Sequence, residues 1–580
     1  MSKIYVLSLL AASILTACGG ASTAPSPEPA PAPTPVPTPT PTSAPVQTTG
    51  VITGFGSVFI NGVEYETNSA TVSTDDNPGA DESDLEVGMI VSLNGEVNED
   101  GTTGNANSIH YEEQLKGPLD SIDLLANTLS VLGQVVVFDD ETSLDGTLLT
   151  ELSPADFLEI SGFFNAKGEL HATRIEKETE VSKLKVEGKV ESLDTMNKVF
   201  VIHNLTINYS SAVFANFAEI DLSNGQEVRV KGLSSALSND VFQVNEIKLQ
   251  KKDEQHEDGK DSQVEGFITD FQSATSFSVS NTHIITDENT EYKFGSVDSL
   301  MLNVQVKVKG EYNGAGDLLA QKIHLQQRSN LSMEGTVEAI DLDLRTLTVL
   351  GVEFMVTSQT IMKDESDHAE RFFNLSDLVL GDSVELKGFI DTDGNNIATK
   401  MQREKDDPEG NIELKGAVSN IANFSFDILG VSVNTDETTL FEDINGDNVS
   451  QATFFAQLQN DMLLEIKGLL VEGNFVALQI KTEENESDEA DEAGEADEDD
   501  GTAKSQRTEF KGTVDEINEG ALIVSNHEVL INSDTEFEAD DNSVSVEQFL
   551  QLVVVGDTVK VKGRMDEQGV ITAKSIEIDD

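Results

Sequence analysis

The fold is decided by a short motif, Val306-Lys307-Val308-Lys309-Gly310, in which apolar and charged residues alternate ahead of a glycine. The motif recurs as Val228-Arg229-Val230-Lys231-Gly232 and as Val559-Lys560-Val561-Lys562-Gly563. Alternation with a period of two predicts a strand with one buried face. Another glycine marks the opening strand of each copy, at intervals of 67 to 96 residues: Gly50, Gly117, Gly188, Gly266, Gly335, Gly416 and Gly512. The chain is therefore predicted to be a tandem array of seven small β-domains.

Each copy is just large enough to form a small core. Helical periodicity is scarce, and short apolar stretches before the fourth strand, such as residues 374–380, predict one turn or a brief helix. Glycine is tolerated inside a strand where the backbone bends, bulges or is closely approached. Two such glycines per copy predict the corners of an all-β, five-stranded, OB-like barrel. An open five-stranded sheet or a small sandwich is the alternative.

The start of the chain has the features of an export signal. Lys3 precedes a largely apolar stretch, residues 4–15, which is shorter than the roughly 20 residues that a membrane-spanning helix needs. The residues Leu15-Thr16-Ala17-Cys18-Gly19 resemble the lipobox of bacterial lipoproteins. That resemblance implies cleavage before Cys18 and attachment of acyl chains such as palmitate to it. Cys18 is the only cysteine, so an internal disulfide is excluded.

Composition divides the chain into segments. Residues 1–17 are predicted to be the signal peptide, and residues 18–48, rich in alternating proline, an extended tether. A charged hinge at 251–261 separates repeats 3 and 4. An acidic linker at 483–507 separates repeats 6 and 7 and is predicted to be disordered, because like charges at this density prevent burial. The predicted β repeats are residues 49–114, 115–178, 184–250, 262–327, 331–404, 411–482 and 508–580.

The first copy also resembles a known family. It reads Gly50-Val51-Ile52-Thr53-Gly54-Phe55-Gly56-Ser57-Val58-Phe59-Ile60-Asn61-Gly62-Val63, followed by an acidic loop at 75–81 and by Leu85-Glu86-Val87-Gly88-Met89-Ile90-Val91. This pattern is similar to the bacterial domain of unknown function numbered five-six-six-six, which occurs in repeats behind lipoprotein signals. Copies four, five and seven share much of this pattern. The others keep the glycine frame, which is the set of strand glycines that recurs in each copy, and differ elsewhere. The resemblance implies an exported β-domain and supplies no catalytic or binding residues.

The balance of charges limits the partners that the protein can have. The chain has 105 acidic and 37 basic residues, a formal net charge of −68. A surface this negative repels phosphate, so nucleic-acid binding and attraction to anionic lipids are not expected. Cations and basic proteins are the expected partners, in addition to the membrane that the lipid on Cys18 would enter.

The sequence shows no recognisable catalytic motif. It contains neither a Gly-x-Ser-x-Gly elbow nor a phosphate-binding loop. No two histidines have metal-ligand spacing; they are His110, His171, His203, His256, His283, His324, His368 and His527. The protein is therefore predicted not to be an enzyme and to have no catalytic, cofactor or metal-binding residues, which leaves Cys18 as the one predicted site.

Two loops deserve comparison with calcium sites, residues 391–396 and 443–447, because oxygen donors alternate along them. Both depart from the EF-hand pattern, since glycine is misplaced and the twelfth positions are Gln402 and Phe454. The first loop is predicted to be the hairpin turn before the last strand of its repeat. No cofactor is predicted, although weak Ca²⁺ binding to the many carboxylates is compatible with the composition.

These features predict an anchored, extended string of seven β-domains on a bacterial cell envelope. The leading function is structural: a spacer, scaffold or adhesin-like protein that acts by multivalency. One alternative is a calcium- or cation-responsive binding protein. Another is an oligosaccharide binder, which would need aromatic rings to converge on one barrel face. Gly19 after Cys18 favours sorting to the outer membrane.

Overall fold

The computed structural model describes residues 44–580 apart from 76, 125, 180–181, 239–240, 251–260, 406–410, 445–447, 472, 484–505, 519, 526, 533–534, 540–541, 566–569 and 580. The predicted signal peptide, Cys18, residues 18–43 of the tether and almost all of the hinge and acidic linker lie outside these residues. The first strand begins at Ala44, inside the segment predicted to be tether, so the predicted tether ends too late.

The first three repeats are built almost entirely of strands. Repeat 1 contains β1 (Ala44–Phe55), β2 (Val58–Ile60), β3 (Val63–Glu66), β4 (Thr71–Thr74), β5 (Ile90–Val97) and β6 (Thr103–Tyr111). Repeat 2 contains β7 (Leu115–Asp123), β8 (Thr128–Val131), β9 (Gln134–Val137), β10 (Ser143–Asp145), β11 (Phe157–Phe164) and β12 (Leu170–Glu178). Repeat 3 contains β13 (Lys183–Lys189), β14 (Glu191–Asp194), β15 (Val199–Ile202), β16 (Leu205–Asn208), β17 (Val213–Ala215), β18 (Glu227–Leu233), β19 (Leu237–Ser238), β20 (Val241–Gln243) and β21 (Glu246–Leu249).

The last four repeats follow the same order, and two of them include a short α-helix. Repeat 4 contains β22 (Asp261–Ser273), β23 (Ser276–Val279), β24 (Thr282–Ile285), β25 (Glu291–Lys293), β26 (Gln305–Tyr312) and β27 (Leu318–Leu325). Repeat 5 contains β28 (Leu331–Asp341), β29 (Thr346–Val349), β30 (Val352–Asp364), β31 (Ser383–Ile390) and β32 (Asn396–Arg403). Repeat 6 contains β33 (Asn411–Ala422), β34 (Ser425–Ile428), β35 (Val431–Asn434), β36 (Leu440–Glu442), α1 (Gln451–Gln457), β37 (Leu463–Val471) and β38 (Asn474–Glu483). Repeat 7 contains β39 (Gln506–Asn518), β40 (Ala521–Val524), β41 (His527–Leu530), β42 (Glu536–Ala539), β43 (Asn542–Val544), α2 (Val546–Leu552), β44 (Thr558–Met565) and β45 (Ile571–Asp579).

The predicted turns before the fourth strand are present. Helix α2 begins where Ser545 accepts a hydrogen bond from the backbone N–H of Gln548. The one-turn 3-10 helices are Glu82–Asp84, Leu149–Glu151, Glu219–Asp221, Ser234–Ala236, Val297–Ser299 and Leu375–Asp377, of which the fourth follows the fourth strand of repeat 3. Among the described residues, no helix has the length and apolar character needed to cross a membrane.

Strand pairing closes six of the seven repeats into a ring. In repeat 1, β1 pairs antiparallel with β2 and β2 with β3, whereas β3 pairs in parallel with β6. Strand β5 then pairs antiparallel with both β6 and β1, which completes the ring. Repeats 2, 4, 5, 6 and 7 close in the same strand order. The strands of repeat 3 are divided between two sheets, one with β13, β17, β18 and β21 and the other with β14, β15, β16, β19 and β20. The predicted five-stranded, OB-like barrel is confirmed, and neither an open sheet nor a sandwich is formed.

In six of the seven repeats the strand register shifts at the glycine of the fourth strand. In repeat 5 the pairing of β31 with β32 shifts register between Lys387 and Gly388. A Cβ atom on Gly388 would lie 2.0 Å from the backbone oxygen of Ile397, a distance that no side chain tolerates. On the opening strand the bulge comes later: in repeat 2 it falls between Leu119 and Ser121, while Gly117 packs closely on Leu132. The opening glycine therefore serves close packing, not the corner that the sequence predicted.

Repeats also pack against partners that are distant in sequence. Strand β1 of repeat 1 pairs in parallel with β22 of repeat 4, and β7 of repeat 2 pairs with β39 of repeat 7. Neighbouring repeats are joined by β7 with β13 and by β28 with β33. Repeats 2 and 3 share one continuous hydrophobic core, as do repeats 5 and 6. The extended string predicted from the sequence is therefore wrong for the described repeats.

Candidate functional site

The strongest concentration of buried charge lies where repeats 1, 2 and 3 meet. Strand β6 ends at Tyr111 and β7 begins at Leu115, so three residues link the first two barrels and hold them together. This charged junction consists of Asp75, Glu112 and Glu113 from repeat 1 and its link to repeat 2, and Lys185, Arg229 and Lys231 from repeat 3.

Lys185 is the central cation of the charged junction. It lies on β13, and only 2% of its side chain is exposed. Its ammonium group contacts Asp75, lies 3.2 Å from Glu113 Oε1 and 3.5 Å from Glu112 Oε1, and donates to the backbone oxygen of Glu113 at 2.8 Å. A buried charge is tolerated when it is paired and hydrogen-bonded in this way. Lys185 therefore fixes repeat 3 against repeat 1.

Strand β18 supplies two more cations, which alternate along the strand and so face the same side. Arg229 contacts Glu112 and lies 3.0 Å from Glu187 Oε2, and Lys231 lies 2.5 Å from Asp75 Oδ2. Burial opposes the charged form of Glu112, but Arg229 and Lys185 outweigh it and hold the pKa of Glu112 well below its usual range. A carboxyl with a lowered pKa stabilises the fold above its unfolded pKa, and this contribution is lost as the pH falls through the lowered value.

Repeat 2 continues the charged junction from the other side. Lys116 Nζ lies 2.6 Å from Glu159 Oε2 and 2.9 Å from Glu178 Oε1. The hydroxyl group of Tyr111 donates to Glu159 at 2.8 Å, and burial raises the pKa of Tyr111 well above its usual value. The Tyr111 hydroxyl group at the end of repeat 1 thus connects to the ion pairs of repeat 2 through Glu159, whereas the carboxylates of Asp75, Glu112 and Glu113 pair with cations of repeat 3.

Beside this network lies an open crevice of about 1290 Å³ between repeats 1, 2, 3 and 4. Side-chain amides and charged groups line much of it, among them Gln114, Gln134, Asn165, Glu187 and Arg229. Ile90 and Phe163 also line the crevice, and they belong to a small apolar contact between three repeats that Val51 and Phe267 complete. Charged groups of both signs line the crevice, with acidic residues in slight excess, so it is not a focused site for one ion.

One group of described residues has the spacing of metal ligands. Donor atoms of Asp75, His110 and Glu112 lie within 4.8 Å of one another. The two carboxylates already contact Lys185, Arg229 and Lys231, which supply the positive charge that a metal ion would bring. Binding a divalent cation would require displacing these cations from a buried place. The arrangement therefore fits an ion-pair network better than a metal centre.

The loop at 391–396 is a hairpin turn. The backbone N–H of Gly394 donates to the backbone carbonyl oxygen of Asp391 at 3.0 Å. The side-chain Oδ1 of Asp391 accepts from the backbone N–H of Asn395 at 2.8 Å. These bonds use the carboxylate inside the turn, as predicted. The second loop lies partly outside the described residues, which exclude 445–447.

Exposed aromatic rings do not gather on one barrel face. Among the described residues the exposed large aromatic side chains are Phe372, at 53%, and Phe424, at 50%, and these belong to different repeats. The convergence that an oligosaccharide-binding face requires is not met by this part of the chain. Cys18, the one predicted site residue, lies outside the described residues together with His256.

Sequence reasoning missed the charged junction. Its members come from repeat 1, from the link that follows it and from repeat 3, and they are 156 residues apart at the extreme, from Asp75 to Lys231. The available signal was the basic pair Arg229 and Lys231 on the fourth strand of repeat 3, beside the acidic pair Glu112 and Glu113 between repeats. Nothing in the sequence brings these pairs together, because strand order within one barrel does not specify which barrels touch.

Comparisons with known proteins agree with the repeat frame. The model of the family described as "Domain of unknown function (DUF5666)" matches residues 49–105, 116–176, 187–242, 265–324, 334–402, 415–481 and 511–577. No curated protein matches the chain. A solved structure titled "drosophila Unr CSD456" matches at 12% identity and a TM-score of 0.10, covering 43% of this chain and 98% of its own.

Proposed function

The chain belongs to the DUF5666 family, and we propose that it is a lipid-anchored scaffold of the bacterial cell envelope, with seven barrels held in fixed positions to present acidic surfaces. The proposed function is to bind other molecules, and the array as a whole is not proposed to act as an enzyme. Its expected partners are basic proteins and cations, which an anionic surface attracts.

One observation supports this proposal most directly: basic side chains are used inside the protein. Among the described residues, Lys116, Arg174, Lys185, Lys400 and Arg403 are buried. Four of these five pair with carboxylates at short range, and Lys185 does so between repeats. Cations that are scarce in the composition are thus removed from the surface. Five carboxyl groups are buried as well, those of Glu113, Glu159, Glu187, Glu265 and Asp364, so among the described residues the exposed ones keep the whole formal excess of negative charge.

Fixed positions strengthen multivalent binding. When several sites bind one partner, each contact after the first is intramolecular, and its effective concentration depends on how well the spacing matches. Barrels that are locked by strand pairing keep their spacing without an entropic loss on binding. The packing of repeats 1 to 4 therefore favours a preassembled scaffold over a flexible spacer.

Anchoring through Cys18 completes the proposal. An acylated cysteine followed by a proline-rich tether would hold the barrels close to a membrane, and Gly19 favours the outer membrane. The test is metabolic labelling of the full chain in bacteria with a clickable palmitate analogue, followed by membrane fractionation. We expect label and membrane recovery for the natural chain and loss of both for Cys18→Ser. Equal membrane recovery of the unlabelled variant would contradict lipid anchoring.

Multivalent binding needs a separate test. An octalysine peptide and a stiff tetramer of it would be titrated against the protein in about 0.15 M salt, where the Debye length is about 8 Å. We expect the tetramer to bind far more tightly than fourfold statistics allow. Lys185→Ala loosens the charged junction but keeps the surface carboxylates. It should therefore reduce the extra affinity of the tetramer and leave the affinity for single octalysine unchanged. The fixed scaffold would be refuted if the tetramer had no extra affinity, or if its extra affinity were the same for the variant as for the natural chain.

A further inference from the structure

Repeat 4 carries a hydrogen-bonded line of serine, histidine and aspartate on its outer surface. Strands β23 and β24 form a hairpin in which Ser278 lies opposite His283 and Ser276 opposite Ile285. Because side chains alternate along a strand, Ser276 lies on the same face as His283, one diagonal step away. Asp317 lies just before β27, which pairs in parallel with β24. The barrel topology therefore brings three polar side chains from separate strand segments to one place.

The distances connect the three groups in the order required for proton transfer. Ser276 Oγ lies 3.1 Å from His283 Nε2, and His283 Nδ1 lies 2.9 Å from Asp317 Oδ1. An ionised carboxylate only accepts hydrogen bonds, so Asp317 fixes the proton of the neutral imidazole on Nδ1. The lone pair of Nε2 is then free to accept the proton of the Ser276 hydroxyl group. These are the roles and atoms of a serine nucleophile with its base and its orienting acid.

Asp317 is held in place by its own turn. The side-chain amide of Asn313 donates to Asp317 Oδ2 at 3.1 Å, while Asn313 Oδ1 accepts from the backbone N–H of Asp317 at 3.0 Å. This leaves Oδ1 for the imidazole. About a quarter of the side chains of His283 and Asp317 is exposed, at 26% and 25%, so small molecules can reach the group.

We propose that Ser276, His283 and Asp317 form a nucleophilic site that reacts with activated carboxylic esters and with phosphonyl fluorides. In the ester reaction, Ser276 Oγ bonds to the carbonyl carbon, its proton passes to His283 Nε2, and the leaving alkoxide takes that proton as the ester bond breaks. Water then attacks the acyl-serine through the same base, which releases the acid and restores the hydroxyl group. No oxidant or reductant is required. This activity is independent of the scaffold function.

Other repeats lack the complete group at the corresponding positions. Repeat 5 places Thr346 and Glu353 in the same register, with Thr346 Oγ1 donating to Glu353 Oε2 at 3.2 Å, but has no imidazole between them. Repeat 2 has Thr128 and Val135 there. Among these three repeats, repeats 4 and 5 have a diagonal polar pair, and the imidazole is particular to repeat 4. Thr346, which is 7% exposed, is therefore a control for a hydroxyl group that occupies the same register without an imidazole.

The test uses the full chain and a fluorophosphonate carrying a fluorophore, with the modified residue located by peptide mass spectrometry. We expect the adduct on Ser276, with loss of fluoride, and slow hydrolysis of p-nitrophenyl acetate. Ser276→Ala should abolish labelling, and His283→Gln should slow it by about a hundredfold or more, because the base is lost. Asp317→Asn should slow it too, because the asparagine no longer holds the imidazole in the correct tautomer. Thr346→Ala should label like the natural chain. Thermal melting of each variant separates loss of the nucleophile from loss of the fold.

Two results would overturn the proposal. One is an unlabelled Ser276 in the natural chain at probe concentrations that saturate a standard serine hydrolase, a result that needs no variant to fold. The other is labelling of Ser276 at an equal rate in a folded His283→Gln chain, because a merely exposed hydroxyl group would not depend on the imidazole.

Discussion

Replacing Lys185 by alanine tests whether the charged junction holds repeats 1 and 3 together. The change removes the cation that contacts Asp75 and lies within 3.5 Å of Glu112 and Glu113, and it removes the donor to the backbone oxygen of Glu113. Deleting one partner of a buried ion pair typically costs about 3–5 kcal/mol, because the remaining charges stay buried without compensation. Arg229 and Lys231 remain and moderate this loss, so we expect about 3 kcal/mol.

Calorimetry of the natural chain and of the variant at neutral pH measures this loss of stability. Repeats 2 and 3 share one core, and for a cooperative unit of this size about 3 kcal/mol lowers Tm by roughly 10 °C. Lys198→Ala is the control, because Lys198 pairs with Glu219 in the same repeat and both side chains are more than 40% exposed. An exposed pair contributes about 0–1 kcal/mol. Equal shifts for the two variants would refute the argument that burial makes Lys185 important.

Three further outcomes follow from other contacts. Burial and the nearby Asp139 raise the pKa of Glu141 to about 7, so the stability gained by protonating it is complete below its unfolded pKa and is lost as the pH rises through 7. Glu141→Gln should therefore raise stability at pH 8 by about 1–2 kcal/mol and leave it unchanged at pH 4, as denaturant titration would show; a benefit independent of pH would contradict this. Gly388→Ala should lower stability by about 2–3 kcal/mol or more in the same assay, whereas Gly79→Ala, which meets only Asn77 Oδ1 at 3.7 Å, should be nearly neutral. Calorimetric titration with Ca²⁺ should give no saturable binding beyond Mg²⁺ at matched ionic strength, and a calcium-specific rise in Tm would reopen the calcium alternative.

The barrel could be predicted from the sequence because its closure depends on local features. Alternating residues such as 306–309 define a strand, and Gly388 permits the close approach to Ile397 that closes the ring. These requirements recur in every copy, so repetition makes them visible. The role of the opening glycine was harder to predict. Gly117 is required because Leu132 packs closely against it, and the β-bulge begins two residues later.

The arrangement of the barrels could not be predicted for a physical reason. The parallel pairing of β1 with β22 joins strands more than 200 residues apart, and seven similar barrels offer many competing partners for such a pairing. The serine, histidine and aspartate group of repeat 4 could not be predicted from the sequence either. Ser276 and His283 meet only because the hairpin register sets them one diagonal step apart, and Asp317 joins them through a parallel pairing.

Outward-facing residues explain why copies with one frame are not equivalent. Lys185 lies three residues before the opening glycine of repeat 3, and no other repeat has a basic residue there: the corresponding residues are Gln47, Gln114, Gln263, Ser332, Glu413 and Glu509. Glutamate at this position would face Asp75, Glu112 and Glu113 with a fourth negative charge. Repeat 3 therefore fits beside repeat 1 in a way that repeats 6 and 7 cannot. The glycine frame makes each copy a barrel, and the charges that differ between copies determine which barrel is its neighbour.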